Sequence, residues 1–154
     1  MSDEHPRVTW DGKAISPDPP FGATVVVFRR QPALSILLLH RAHHGAEYEG
    51  DWAWTPPAGA RQPGEAVADA AERELYEEAG LRVPITACAA SATEWAVFLA
   101  EVGDREMIRL IDPEHDRFAW VSPGEALRRV APEVARETLA KALACIDATM
   151  KESE

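Results

Sequence analysis

Four glutamates in the middle of this 154-residue chain are spaced to do chemistry on a charged substrate: Glu65, Glu74, Glu77 and Glu78. Residues three and four apart share a helix face, so Glu74, Glu77 and Glu78 project together. Like charges placed this way repel, and a bound divalent cation would reverse the sign of that cost. A cluster of oxygen donors suits Mg²⁺ or Mn²⁺ rather than zinc. The surrounding residues supply the element such a cluster needs. Gly59 and then Pro63-Gly64 are turn chemistry. Residues 66–79, rich in Ala, Glu and Leu, predict a helix. Gly80 stops it, being the residue most often found where positive φ ends a helix. The plain alternative is a salt-bridged surface helix in which Arg73 pairs with Glu77 at i,i+4. That reading leaves the Gly and Glu before the helix unexplained.

The whole stretch, residues 59–81, resembles the Nudix box, G-x(5)-E-x(7)-R-E-U-x-E-E-x-G-U, with U a bulky aliphatic residue. Gly59, Glu65, Arg73, Glu74, Leu75, Glu77, Glu78, Gly80 and Leu81 fill every fixed position. Seven of these are single-residue requirements, and at a background of about 1 in 15 each, chance gives ~10⁻⁸ per register. The preceding Trp54 to Ala58 is similar to the W-x-P-G-G lead-in of that family, with Ala58 where a second Gly is common. This departure is expected to tighten the loop without touching a motif carboxylate.

Composition bounds the rest. The length fits one domain, residues 1–154, with residues 1–20 as an extended arm marked by Pro17, Pro19 and Pro20. Hydrophobic residues at 46% and charged residues at 27% fit a soluble globular chain. A net charge of −10 argues against a nucleic-acid backbone, and hence capped RNA, as partner. No apolar run approaches the ~20 residues of a membrane span, and no signal peptide is visible. Cys88 and Cys145 lie far apart and outside metal spacing, which fits a reduced, cytoplasmic protein with two buried thiols.

The positioning elements follow from the apolar pattern. Residues 22–28 and 34–40 read as a hairpin of buried strands, after a short strand at 7–10. Trp52 and Trp54 alternate across another short strand, so their indoles are expected on one face. Strands are expected at 82–90, 93–102, 106–111 and 117–121. Ser122, Pro123 and Glu125 read as a capping box starting a helix. A last helix is expected over 132–148, with Val134, Leu139, Leu143 and Ile146 near helical spacing. The order suggests α/β or α+β in three layers. The resemblance implies the Nudix α/β/α sandwich with a mixed sheet.

It also implies an activity: metal-dependent hydrolysis of a phosphoanhydride in a nucleoside diphosphate linked to another moiety. Glu74, Glu77 and Glu78 are the implied core ligands, with Glu65 and the Gly59 carbonyl as further ones, and Arg73 orients a box carboxylate. One more acid must face the helix from elsewhere. Glu114 is the candidate, as ligand or base, because Glu114-His115 through Trp120 is similar to the E-H-x(4)-W pattern of members acting on nucleoside triphosphates and dinucleoside polyphosphates. Asp112, Asp116, Glu101 and Glu106 are its rivals. Arg41 and His43 are expected near substrate phosphate, and Trp54 as either core or a stacking platform. Zinc at His40, His43 and His44 is not expected, because no defined ligand set accompanies them. ADP-ribose or a nucleotide sugar is the alternative substrate. A nucleotide-sensing domain without catalysis is the alternative of another class. The partner is a small-molecule nucleotide, with a homodimer left open.

Overall fold

The computed structural model describes residues 8–9, 12–88 and 91–152. The elements are β1 (Gly22–Arg29), β2 (Ser35–Arg41), β3 (Trp54–Thr55), β4 (Ala58–Ala60), α1 (Val67–Ala79), β5 (Thr86–Ala87), β6 (Trp95–Glu101), β7 (His115–Val121), α2 (Pro123–Arg129) and α3 (Glu133–Glu152). All these strands join one mixed sheet, in which β1 and β6 run parallel and the other pairings are antiparallel.

Alternation along the central strands divides the core. Val25, Val27, Leu37 and Leu39 face α1 and pack with its Ala71, Leu75 and Ala79. Val26, Phe28, Ile36 and Leu38 face the other way and pack with Ala126 of α2 and Leu139, Ala142 and Ile146 of α3. The result is the expected three-layer sandwich. Leu75 is fully buried at the centre of the α1 contact. Cutting such a side chain to alanine costs about 2–5 kcal/mol.

One irregularity builds the site. β1 and β2 pair only next to their turn, at Phe28↔Ile36 and Arg29↔Ser35. Beyond that they splay, and residues 53–60 fill the wedge. β3 pairs with the far end of β2, β4 with the start of β1, and the Val25 N–H donates to the Pro57 carbonyl between them. The lead-in to α1 is thus held by strands on both sides.

Several expected elements differ. The segment at 106–111 is not a strand. Its backbone runs past the C-terminal end of α1, where Arg109 N–H donates to the Ala79 carbonyl and Asp112 N–H to the Glu77 carbonyl. These bonds satisfy helix-end carbonyls in place of a sheet ladder. Gly80, at φ 72°, belongs to the same junction, because a Cβ there would sit 2.9 Å from Arg109 backbone and side-chain atoms. The strand expected at 82–90 shrinks to β5, with residues 89–90 outside the described set. In the arm, Val8 bridges Ala14, while Arg7 and Trp10 lie outside the described residues. Ser122 caps α2 by accepting the Glu125 N–H, but the Glu125 carboxylate turns to Arg128 and Arg129 rather than closing the box. Val134 is exposed instead of packing with Leu139.

Candidate active site

The box loop and α1 present their carboxylates at graded depth. Glu77 is outermost, Glu74 is mostly buried, and Glu78 is 1% exposed. Arg73 binds them together. Its Nη1 donates to Glu74 Oε1 at 2.6 Å and to Glu77 Oε1 at 3.3 Å, and its Nε and Nη2 clasp Glu65 at 2.9 and 3.0 Å. Charge-assisted forks of this kind fix geometry as well as adding energy. Glu65 also accepts the Gln62 N–H, so both of its oxygens are engaged. Its carboxyl is held below the usual range, chiefly by the Arg73 hydrogen bonds. Both oxygens of Glu65 thus go to Arg73, with Gln62 sharing one, so that any contact of this residue with a cation would run through water. Gly59 is required on steric grounds, because a Cβ there would fall on the Glu74 carboxylate.

Glu78 is the innermost acid. Its Oε1 accepts the Ala58 N–H at 3.0 Å, while Oε2 is buried with no hydrogen-bond partner. The contact is made by the Ala58 backbone N–H, which a glycine at this position would offer equally. Burial and then the neighbouring Glu74 push the Glu78 carboxyl well above its ordinary range, with Glu114 adding to the effect. Burial raises Glu74 as well, against the opposing pull of the hydrogen bond it shares with protonated Glu78 and of Arg73. Two adjacent carboxylates are both acceptors, so a proton or a cation must lie between them.

Glu114 is brought to this cluster by the loop between β6 and β7, which runs past the end of α1. Asp112 is tied to the Glu77 carbonyl, Glu114 N–H donates to Asp112 Oδ1 at 3.1 Å, and the Glu114 carbonyl accepts from Ala42 N–H. Donor atoms of Glu78, Glu114 and His115 lie within 4.8 Å of one another. His115 is buried with neither ring nitrogen hydrogen-bonded. Burial, reinforced by Arg41, lowers its pKa to about 4, so the imidazole is neutral at pH 7. The buried Glu78 oxygen without a donor, with Glu114 and His115 beside it, makes a set of donor atoms that fits a divalent cation.

A cavity of about 740 Å³ opens beside the acids. Its lining is charged at Arg73, Glu74, Glu77, Asp112 and Glu114 and apolar at Trp52, Trp95, Val134 and Leu139. Arg41 stands at Glu114, with Nη2 3.9 Å from Oε2, and joins this cavity to a second of about 450 Å³ that contains His43 and His44. Trp54 goes to the core, 5% exposed, with its indole N–H donating to Glu49 and His40 against its ring. The two tryptophans do not share a face. Trp52 has φ 67°, which breaks strand alternation and turns its side chain outward at 45% exposure. Glu101 instead pairs with Arg30, and Asp116 with His40 and Arg117. The sequence carries no signal for Trp52 and Trp95 as cavity-lining residues, because strand alternation gives the face a residue shares with its neighbours and not which distant segments meet it.

The architecture is thus an α/β/α sandwich with a Gly-led acidic helix beside a cavity. A NUDIX domain profile matches residues 18–142, and the chain belongs to the Nudix hydrolase family. The octanoyltransferase of Myxococcus xanthus is 32% identical over 149 residues, which is 88% of this chain and 40% of that protein. The chain thus spans well under half the length of that relative. The fold is similar to a C. elegans Ap4A hydrolase binary complex, with a TM-score of 0.65 at 24% identity, covering 82% of this chain and 98% of that one. It is also similar to the Nudix hydrolase RenU of M. smegmatis, with a TM-score of 0.68 at 19% identity, covering 96% of each chain. At these identities the likeness is one of fold. No described helix is long and apolar enough to cross a membrane.

Proposed function

We propose that the chain hydrolyses a phosphoanhydride bond in a nucleoside diphosphate linked to a further group, with a nucleoside triphosphate or dinucleoside polyphosphate as substrate. The observation that carries this reading is the buried Glu78 carboxylate set against Glu74 and Glu114, both of which line a cavity of about 740 Å³. That volume lies within the range of small-molecule sites. The similar fold of the C. elegans Ap4A hydrolase supports the substrate class.

Mg²⁺ or Mn²⁺, held by Glu74, Glu77, Glu78 and Glu114, would neutralise phosphate charge and acidify a water. The residues of the chain supply the rest. Arg73 keeps Glu74 and Glu77 in place. Glu114, delivered from outside the helix and adjacent to Glu78, accepts the proton of the attacking water. The water oxygen bonds to phosphorus, the bridging P–O bond breaks, and the leaving phosphate departs with the bond pair. Arg41 offers charge to a substrate phosphate, with His43 beyond it in the second cavity. Trp52 and Trp95 offer flat apolar surface for a base. Glu65 holds Arg73 by its fork.

A sensing role without catalysis is less well supported, because every carboxylate of the cluster is in place. The test is a panel of nucleoside triphosphates, dinucleoside polyphosphates, ADP-ribose and nucleotide sugars with Mg²⁺ or Mn²⁺, products resolved by chromatography. Turnover of either of the first two classes above the others is expected. Preference for ADP-ribose or a nucleotide sugar would overturn the substrate assignment, and binding without turnover across the panel would favour the sensor.

A further inference from the structure

We infer that His115 supplies a nitrogen ligand to the cation held at Glu78 and Glu114, so that this site selects Mn²⁺, Co²⁺ or Zn²⁺ over Mg²⁺. The inference deepens the proposed metal-dependent reading and rests on it. Two observations carry it. The first is proximity: one donor atom each from Glu78, Glu114 and His115 lie within 4.8 Å of one another. The second is that the histidine is an orphan. His115 is 6% exposed, and neither Nδ1 nor Nε2 has a hydrogen-bond partner.

A buried imidazole almost always gives its nitrogens to something, since a polar group taken out of water without a partner keeps its full desolvation cost. The neighbouring histidine shows the ordinary solution. His40 is also buried, yet its Nδ1 meets Asp116 at 2.9 Å and its Nε2 meets the Tyr48 carbonyl at 2.7 Å. His115, on the adjacent strand where β7 pairs with the end of β2 at Arg41, has no such partners. Glu78 Oε2 is orphaned in the same space. An imidazole nitrogen, an unpartnered carboxylate oxygen and a second carboxylate form a mixed N/O donor set. Carboxylate-only sites suit Mg²⁺ and Mn²⁺, whereas imidazole shifts preference along the Irving–Williams order toward later metals. A carboxylate has two oxygens and about four lone-pair positions, so Glu114 can meet the cation at one oxygen and remain the proton acceptor at the other.

The sequence pointed to His115 only as a companion of Glu114. What it could not show is that both residues turn toward Glu78. Strand alternation alone would put residues 114 and 115 on opposite faces. Glu114 belongs to the loop, and the register shift at His40/Arg41 breaks the ladder at this end of β7.

The test uses the full chain loaded with Mn²⁺ and read by electron spin-echo envelope modulation. ¹⁴N modulation is expected in the wild type, and it should convert to the ¹⁵N pattern when only histidine is isotopically labelled. It should disappear in His115→Gln. The Mn²⁺ dissociation constant should rise at least about 10-fold in that variant, the scale on which even outer partners of a metal site act, while the Mg²⁺ constant moves by much less. His115→Asn provides a second, smaller replacement should the first variant fold poorly by circular dichroism. Absence of nitrogen modulation in the wild type would overturn the inference. So would equal loss of Mn²⁺ and Mg²⁺ affinity in both folded variants, the mark of a purely structural histidine. If no divalent cation binds wild type at all, the metal-dependent reading itself fails.

Discussion

The acidic and apolar linings of the main cavity are made in opposite ways. The acidic lining comes mostly from one continuous stretch, in which a turn, a helix and a helix stop set Glu74 and Glu77 at fixed offsets, with Glu78 buried behind them. The apolar lining is gathered from distant segments: Trp52 from just before β3, Trp95 from the start of β6, and Val134 and Leu139 from α3. The comparison teaches a division of labour. On the proposed reading, the chemistry is written locally, while the selection of substrate depends on tertiary structure.

The sharpest way to break that division is to change one residue in each lining. Glu114→Gln is expected to lower kcat by about 10²–10⁴-fold, the range for a general base, with KM little changed. Trp52→Ala should do the reverse, raising KM roughly 10- to 100-fold for a base-bearing substrate while kcat holds, since stacking on an aromatic ring is worth about 1–3 kcal/mol. Steady-state kinetics on both variants checks the pair. A fall in kcat from Trp52→Ala as large as that from Glu114→Gln would erase the distinction.

Arg61 offers a finer cut, because it ties the arm to the box. Its guanidinium donates to the carbonyls of Pro20, Asp18 and Glu65, and its own carbonyl accepts from Ser16 N–H. The arm in turn supplies Lys13 and Ile15 to the cavity. Arg61→Ala should raise KM several-fold and lower stability by about 1–3 kcal/mol, the scale for hydrogen bonds to a charged group. Denaturant titration alongside kinetics measures both. Unchanged KM would detach the arm from substrate binding.

The smallest expected effect is on stability against pH. Glu78 and Glu74 titrate above their ordinary value of 4.5 when folded. A raised carboxyl pKa means the folded state binds more protons than the unfolded state. The metal-free protein should therefore lose stability as pH rises from about 4.5 through the raised folded values. Cation binding must displace that proton, so metal-induced stabilisation should grow with pH over the same window. Glu78→Gln should flatten much of both trends. Thermal melts with and without Mg²⁺ across about pH 5–8 test this. A metal shift independent of pH would contradict it.

How much of this was legible follows the same contrast. The helix carrying Glu74, Glu77 and Glu78 could be read because its period, its turn and its Gly80 stop all lie within a few residues. The two central strands could be read because both faces are buried and the apolar runs are continuous. The segment at 106–111 could not, because its backbone bonds go to the end of α1 rather than to a neighbouring strand. Trp52 and Trp54 looked equivalent in the sequence, and one positive φ at Trp52 separates them. Glu65 looked like one more ligand, and only the fork from Arg73 shows where its oxygens go. Charge type and spacing locate acids, but which oxygen is left without a donor is decided by the packing around it.

The most direct test of the central claim is turnover of Ap4A and a nucleoside triphosphate by wild type and Glu78→Gln during Mg²⁺ and Mn²⁺ titration, each closed by excess chelator. The side-chain amide introduced by this substitution retains an oxygen for the Ala58 N–H, so the variant should stay folded. The account predicts turnover in the wild type that rises with cation and vanishes in chelator. It predicts a rate at least about 10²-fold lower in the variant, with weakened cation binding. Undiminished wild-type turnover in excess chelator, or a Glu78→Gln variant as fast as wild type at the same cation concentration, would contradict it.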